Sequence, residues 1–205
     1  MASMLGKFFK ALSGAPQHKE AETDRSPYLR KEEEPIDFTF AQKFTEGGGF
    51  LVYCNSVEEV SDNLKALSAE TGQTHFFIPE EKIQQWFRAS ELGVIADNPL
   101  DANAMASSCH AAIASTGGIM ITDAQTHGIK FAQLPAVHVV FATVSQIVRS
   151  LSDGMTNVNR YHKLERPRSI MTLKGKLDDS VAKAKVDPNK GRDLYFFLLE
   201  DELLQ

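Results

Sequence analysis

The sequence predicts an α/β protein built on an open, mostly parallel sheet with helices on both faces. Three observations point there. Short apolar runs without polar alternation recur along the chain, as in strands buried on both sides. Segments with apolar residues at helical spacing lie between them, which is the mark of βαβ units. Glycines, prolines and capping residues punctuate the joins.

The elements follow in order from residue 38. Phe40 and Phe44 suggest a short helix closed by Gly47, Gly48 and Gly49. Phe50 to Cys54 reads as a buried strand. Ser56 with Glu59 makes a capping box that opens a helix to Thr71, with Val57, Val60, Leu64 and Leu67 on its inner face. Gly72 ends that helix. His75 to Ile78 is the next strand, stopped by Pro79. Glu80 to Leu92 is a helix with Ile83, Trp86 and Phe87 inward, and Gly93 to Ala96 a third short strand. Cys109 to Ala114 leads into Ser115, Thr116, Gly117 and Gly118, then into a strand from Ile119 to Thr122. Val137 to Ala142 is another strand. Val144 to Tyr161 reads as one helix with Ile147, Val148, Leu151 and Met155 inward. Ser169 to Leu173 and Asp193 to Leu199 are the last strands. Sheets of this kind bind ligands at the carboxyl ends of their strands, so a site is expected in the loops there.

Residues 1–37 form a separate part. Leu5, Phe8, Phe9 and Leu12, flanked by Lys7 and Lys10, make a short cationic amphipathic segment over residues 4–12. Packing of this segment on a protein surface is favoured over membrane contact. Residues 13–37 are polar and carry Pro16, Pro27 and Pro35. They bury too little apolar surface to offset ordering, and read as a linker arm.

Composition narrows the function classes. A net charge of -5 leaves no basic footprint for nucleic acid. No run reaches the roughly 18 apolar residues of a membrane span. The two cysteines, Cys54 and Cys109, make no ligand cluster and read as reduced cytoplasmic thiols. No Walker loop, dinucleotide glycine fingerprint or nucleophile elbow occurs.

A few polar residues stand out. The Ser115, Thr116, Gly117, Gly118 stretch is the first candidate for a ligand-contacting loop, because its glycines permit close backbone approach. A tight structural turn explains it equally well. Lys130 lies in a loop after a strand and is a candidate anion contact. His138, inside an apolar strand, reads as a buried histidine satisfied by a backbone carbonyl rather than as an acid–base group. His110 and His127 lack a second ligand at metal spacing, so no metal and no cofactor are expected.

Several ordered blocks resemble the LUD-domain family, whose C-component-like members belong to bacterial lactate-utilisation operons. Ala112 to Ile121 is similar to the family's alanine-rich stretch, Thr-Gly turn and apolar strand. Leu134 to Val140 looks like its Pro-x-x-His strand, and Ser145-Gln146 like the helix start that follows. Phe40 to Leu67 resembles its opening elements, and Gly191 to Leu198 its terminus. The resemblance spans residues 38–201. It implies a NagB/RpiA/CoA-transferase-like fold. It also implies an accessory, cytoplasmic role in oxidising lactate to pyruvate alongside iron–sulfur oxidoreductase subunits, with a small anionic metabolite or a partner protein as ligand and no independent catalysis. An isomerase- or transferase-like enzyme acting on a phosphorylated or CoA-linked substrate is the alternative, as is a non-catalytic membrane- or protein-docking module. A homo-oligomer is compatible with either.

The chain departs from that family at residues 173–189. The family carries a Gly-Pro-Ser-x-Thr-Ala-Asp-Ile-Glu motif there, suited to anions through its backbone N–H groups and hydroxyls. Here Lys174, Gly175, Lys176 and Asp179 stand in its place, with the hydroxyls lost and Asn189 where the family has a later histidine. Lys174, Gly175 and Lys176 keep an anion site on one reading. On the favoured one the loop is a plain connection.

Overall fold

The computed structural model describes residues 34–130, 133–163, 166–175 and 192–203. The 4–12 segment, most of the 13–37 arm, Lys176 and Asp179 lie outside the described residues.

The chain opens with α1 (Ile36–Glu46), β1 (Phe50–Cys54), α2 (Val57–Thr71), β2 (His75–Phe77), α3 (Glu81–Ala89) and β3 (Val94–Ala96). It continues with β4 (Ala104–Ser108), β5 (Ala111–Ile113), β6 (Gly118–Thr122), the one-turn α4 (Asp123–Thr126), β7 (Val137–Thr143) and β8 (Ile147–Val148). Last come α5 (Leu151–Tyr161), β9 (Ile170–Leu173) and β10 (Asp193–Leu199). Six strands form one sheet in the order β1-β10-β7-β4-β2-β3. Every pairing in it is parallel.

The expected α/β architecture is therefore present, and its centre shows why the sequence looks as it does. All seven residues of β7 are buried. Val137, Val139 and Phe141 face one side with Ala104, Ala106, Phe76, Phe197 and Leu199, under Val60, Leu64 and Leu67 of α2 and Ile83, Trp86 and Phe87 of α3. Trp86 meets Phe141 at 5.2 Å between ring centroids, and Phe141 meets Phe197 at 5.1 Å. The opposite side of β10 presents Phe196 to Phe40 and Phe44 of α1, at 5.0 and 5.5 Å. A strand covered on both sides has no reason to alternate polar residues.

Local signals set the helix ends. Ser56 caps α2 by accepting from the Glu59 amide at 3.2 Å. The reciprocal carboxylate reaches one residue further back than a capping box requires, to the Asn55 amide. Gly72 closes the helix in the left-handed conformation.

Three expectations need correction. A second sheet, in the order β8-β5-β6-β9, accompanies the first. Its β5–β6 and β6–β9 pairings are antiparallel. The turn at residues 114–117 folds the chain back instead of sending it across the main sheet. α5 covers this small sheet through Val158 and Met155, packed on Ala111, Ile113, Met120 and Val148. Residues 144–161 are not one helix. Thr143 to Gln146 form a capped 3-10 turn, Ile147 and Val148 pair with β5, and Ser150 with Asp153 starts α5 afresh. Leu151 is consequently exposed instead of inward. Finally, Ala104–Ser108 is a central strand the sequence conceals. Alanine and serine are poor strand formers, yet small side chains at Ala104 and Ala106 leave room for the aromatic side chains packed over them.

Gly117 makes the hairpin possible. Its φ is +64°, and a Cβ there would lie 2.5 Å from the Lys43 carbonyl carbon. Gly128 has φ +72° but nothing within 4 Å of an added Cβ. Replacing Gly128 by Ala therefore adds only backbone strain, whereas Gly117→Ala adds a backbone collision. In urea unfolding, Gly117→Ala should cost more than about 2 kcal/mol and Gly128→Ala about 1 kcal/mol. Equal losses at the two sites would show that the contact with α1 is not tight.

Candidate functional site

The carboxyl edge of the main sheet is where a ligand is expected, and its loops are tied together by polar side chains. Gln146 accepts from the Thr143 amide at 2.8 Å and donates to the Cys109 carbonyl at 2.6 Å. The Ser145 amide donates to Asp201 at 3.0 Å, and the Ser108 amide donates to Glu80 at 2.7 Å. Hydrogen bonds from the Ser145 backbone, then from the Ser145 and Thr143 side chains, hold the Asp201 carboxyl below its ordinary range. The Tyr53 hydroxyl donates to Glu200, which pushes the phenol up to about 12. Glu200 directly follows β10, so this strand end carries a carboxylate. An anion at this edge would meet Glu80, Glu200 and Asp201, which disfavours it there.

The sequence-predicted residues gather elsewhere. Ser115 and Thr116 are exposed at the tip of the β5–β6 hairpin, and Gly117 beneath them packs on Lys43 and Phe44 of α1. Gly118 lies against Thr172 of β9. β9 pairs Leu173 with Ile119, so Lys174, the next residue, emerges beside Gly118 with its side chain exposed. Gly175 is buried against the backbone of Gly48 and Gly49, where a Cβ would come within 2.4 Å. Two exposed hydroxyls and one ammonium group thus share the neighbourhood of the α1 C-terminus and the amino end of β1. Lys130 is exposed in the segment after α4 and belongs to a different part of the surface, beside Ile129, which packs on Phe77, Met105 and Leu134.

Two histidine clusters occupy the remaining polar interior. His138 is fully buried on β7, and its Nε2 lies 2.8 Å from the Ser107 hydroxyl on β4. That hydroxyl donates to the Ser108 carbonyl at 3.0 Å, so the imidazole Nε2–H is the donor toward Ser107. The Nδ1 lone pair then points into the interior with no partner among the described residues. Burial, then the positive Arg192 nearby, lowers His138 to about 3. Arg192 is buried too and donates to the Leu134 and Pro135 carbonyls. The sequence reading of His138 as a buried structural histidine stands near this geometry, but its partner is a hydroxyl.

His110 joins β4 to β5 and is surrounded. Its Nε2 lies 3.2 Å from the Thr122 hydroxyl, 3.3 Å from the Gln125 amide nitrogen and 3.1 Å from His162 Nε2. Gln125 is oriented by the Thr122 amide, which donates to its carbonyl oxygen at 2.9 Å. The NH2 group therefore faces His110, and His110 Nε2 is the acceptor. Burial, then His162, lowers His110 to about 4. Tyr161 stacks edge-on against both rings, at 5.4 and 5.0 Å. Sequence reasoning noticed His110 and missed His162, Gln125 and Tyr161, because nothing in local spacing links residues so far apart in the chain. Neither thiol is poised to react: burial raises Cys109, and Cys54 to about 12.

Both histidines are neutral in the fold and would take a proton more readily when unfolded. The unfolded chain then binds more protons below pH 6.5, so stability is full above that pH and falls as the pH drops toward about 3 for His138. Between pH 6.5 and 5 the buried His138 should contribute a loss that steepens toward about 1.4 kcal/mol per pH unit. His138→Leu should flatten the pH dependence of the urea midpoint over that range. An unchanged slope would mean that His138 is already charged in the fold.

A family model described as the LUD domain matches residues 39–176. Among solved structures, the fold is similar to the crystal structure of a DUF162 family protein from Deinococcus radiodurans, with a TM-score of 0.58 and 19% identity, covering 80% of this chain and 96% of that one. Identity at that level speaks to the fold alone. No curated protein matches the chain. With the family match running through β1 to β9 and the sheet order in agreement with an α/β domain, this chain belongs to the LUD-domain family.

Proposed function

We propose that this LUD-domain protein is an accessory component of lactate utilisation. Iron–sulfur partner proteins would carry out the oxidation of lactate to pyruvate in the cytoplasm, while this chain binds a small anionic metabolite or a partner. The observation that carries the reading is the family match, which spans nine of the ten strands. Two further features support binding over independent catalysis. His110, His138 and both thiols are shifted toward their neutral forms, which leaves neither a charged histidine acid nor a thiolate nucleophile among them near pH 7. The exposed Ser115, Thr116 and Lys174 offer hydroxyls and one positive charge beside tightly packed glycine backbone, whereas the carboxyl edge offers carboxylates. Among the described residues no helix is long and apolar enough to cross a membrane.

Deletion of the gene tests this directly. Growth on lactate should be lost while growth on pyruvate continues. A copy of the wild-type gene should restore it, and a Lys174→Gln copy should restore it poorly at equal protein abundance. Normal growth on lactate after deletion would contradict a required role. Full rescue by Lys174→Gln would remove Lys174 from the binding surface without touching the role itself.

A further inference from the structure

We propose that His110 and His162 form a two-histidine site for a borderline divalent metal ion of the zinc and nickel class. The sequence expectation of no metal rested on the lack of a local second ligand, and the fold supplies one from 52 positions away.

The geometry carries the inference. The two Nε2 atoms are 3.1 Å apart. With metal–nitrogen bonds of about 2.05 Å, that separation corresponds to an angle at the ion of about 100°, between octahedral and tetrahedral values. Rings sharing such an ion have centroids about 4.8 Å apart, and the observed separation is 4.9 Å. A straight N–H···N bond along both ring axes would place them about 5.4 Å apart instead. The rings are therefore bent relative to one another instead of joined in line, as two ligands of one ion are.

The surroundings select the ion. Thr122 Oγ1 is 3.2 Å from His110 Nε2, and an ion there would displace the hydrogen bond that this nitrogen accepts from Gln125. Among the described residues no group of three or more His, Cys, Asp or Glu converges, so the remaining positions fall to water. Imidazole donors without carboxylates suit zinc, nickel or copper and not magnesium or calcium. His110 is held neutral to low pH, as a metal ligand must be. His162 is the C-cap of α5, where the unpaired carbonyls of the helix end favour a cation. Exposed Arg160 and Lys163 flank it and oppose the charge. Two protein ligands beside two cations predict micromolar rather than nanomolar affinity.

The test is calorimetric titration of the chelator-stripped full chain with Zn2+. Wild type should bind one equivalent with micromolar affinity. His162→Gln should weaken that binding by at least about tenfold. His75→Gln, an exposed histidine on β2, should leave it unchanged. Co2+ added to wild type should broaden NMR signals of Thr122, Gln125 and Tyr161 before others, which makes the outcome independent of any folding defect in a variant. No equivalent tighter than millimolar, wild-type affinity in His162→Gln, or broadening centred elsewhere on the chain would each overturn the site.

Discussion

Burial of β7 on both sides is the constraint from which the rest of the structure follows. Every one of its residues is shielded, and it pairs in parallel with β10 and β4 over almost its full length. A strand in that position tolerates polar groups only when they are neutral and hydrogen-bonded. His138 meets this condition at Nε2 through Ser107, and only in its neutral form, while its Nδ1 has no partner among the described residues. The same burial demands cover on two faces. α2 and α3 supply one cover, while α1 packs its phenylalanines on the other.

The small mixed sheet packs beside α1, and its placement depends on close backbone contacts. Gly117 lies on the end of α1, and Gly175 lies on the Gly48–Gly49 backbone. These two approaches bring the hairpin tip and Lys174 to one neighbourhood. The glycines singled out in the sequence as room for a ligand are, at these two positions, room for the protein's own backbone. What remains available to a ligand is the exposed rim: Ser115, Thr116 and Lys174. The histidine pair lies by α5, where the C-terminus of that helix delivers His162 to His110.

Much of this fold is legible in the sequence wherever burial and periodicity agree. β1, β7 and β10 are apolar runs, and Ser56 and Gly72 mark α2 at both ends. Legibility fails where a tertiary partner decides. β4 is written in alanine and serine, so its strand character comes from its neighbours β2 and β7. Ile147 and Val148 fall at helical spacing with Met155, and only pairing with β5 reveals them as strand. The candidate site divides in the same way. Ser115 to Gly118 could be located from sequence, but their packing on the end of α1 could not. His110 was visible as a residue, while its partners Thr122, Gln125 and His162 are products of folding.

Native-state hydrogen exchange tests most directly whether the doubly covered parallel core governs the molecule. Amides of β7 and of the inner part of β10 should exchange only through global unfolding, and so define its free energy. Those of the edge strand β3, where Val94 is 55% exposed, should open with a smaller free energy. If β7 exchanged as fast as β3, or faster than the small β5–β6 sheet, the central strand would not be the element on which the fold depends.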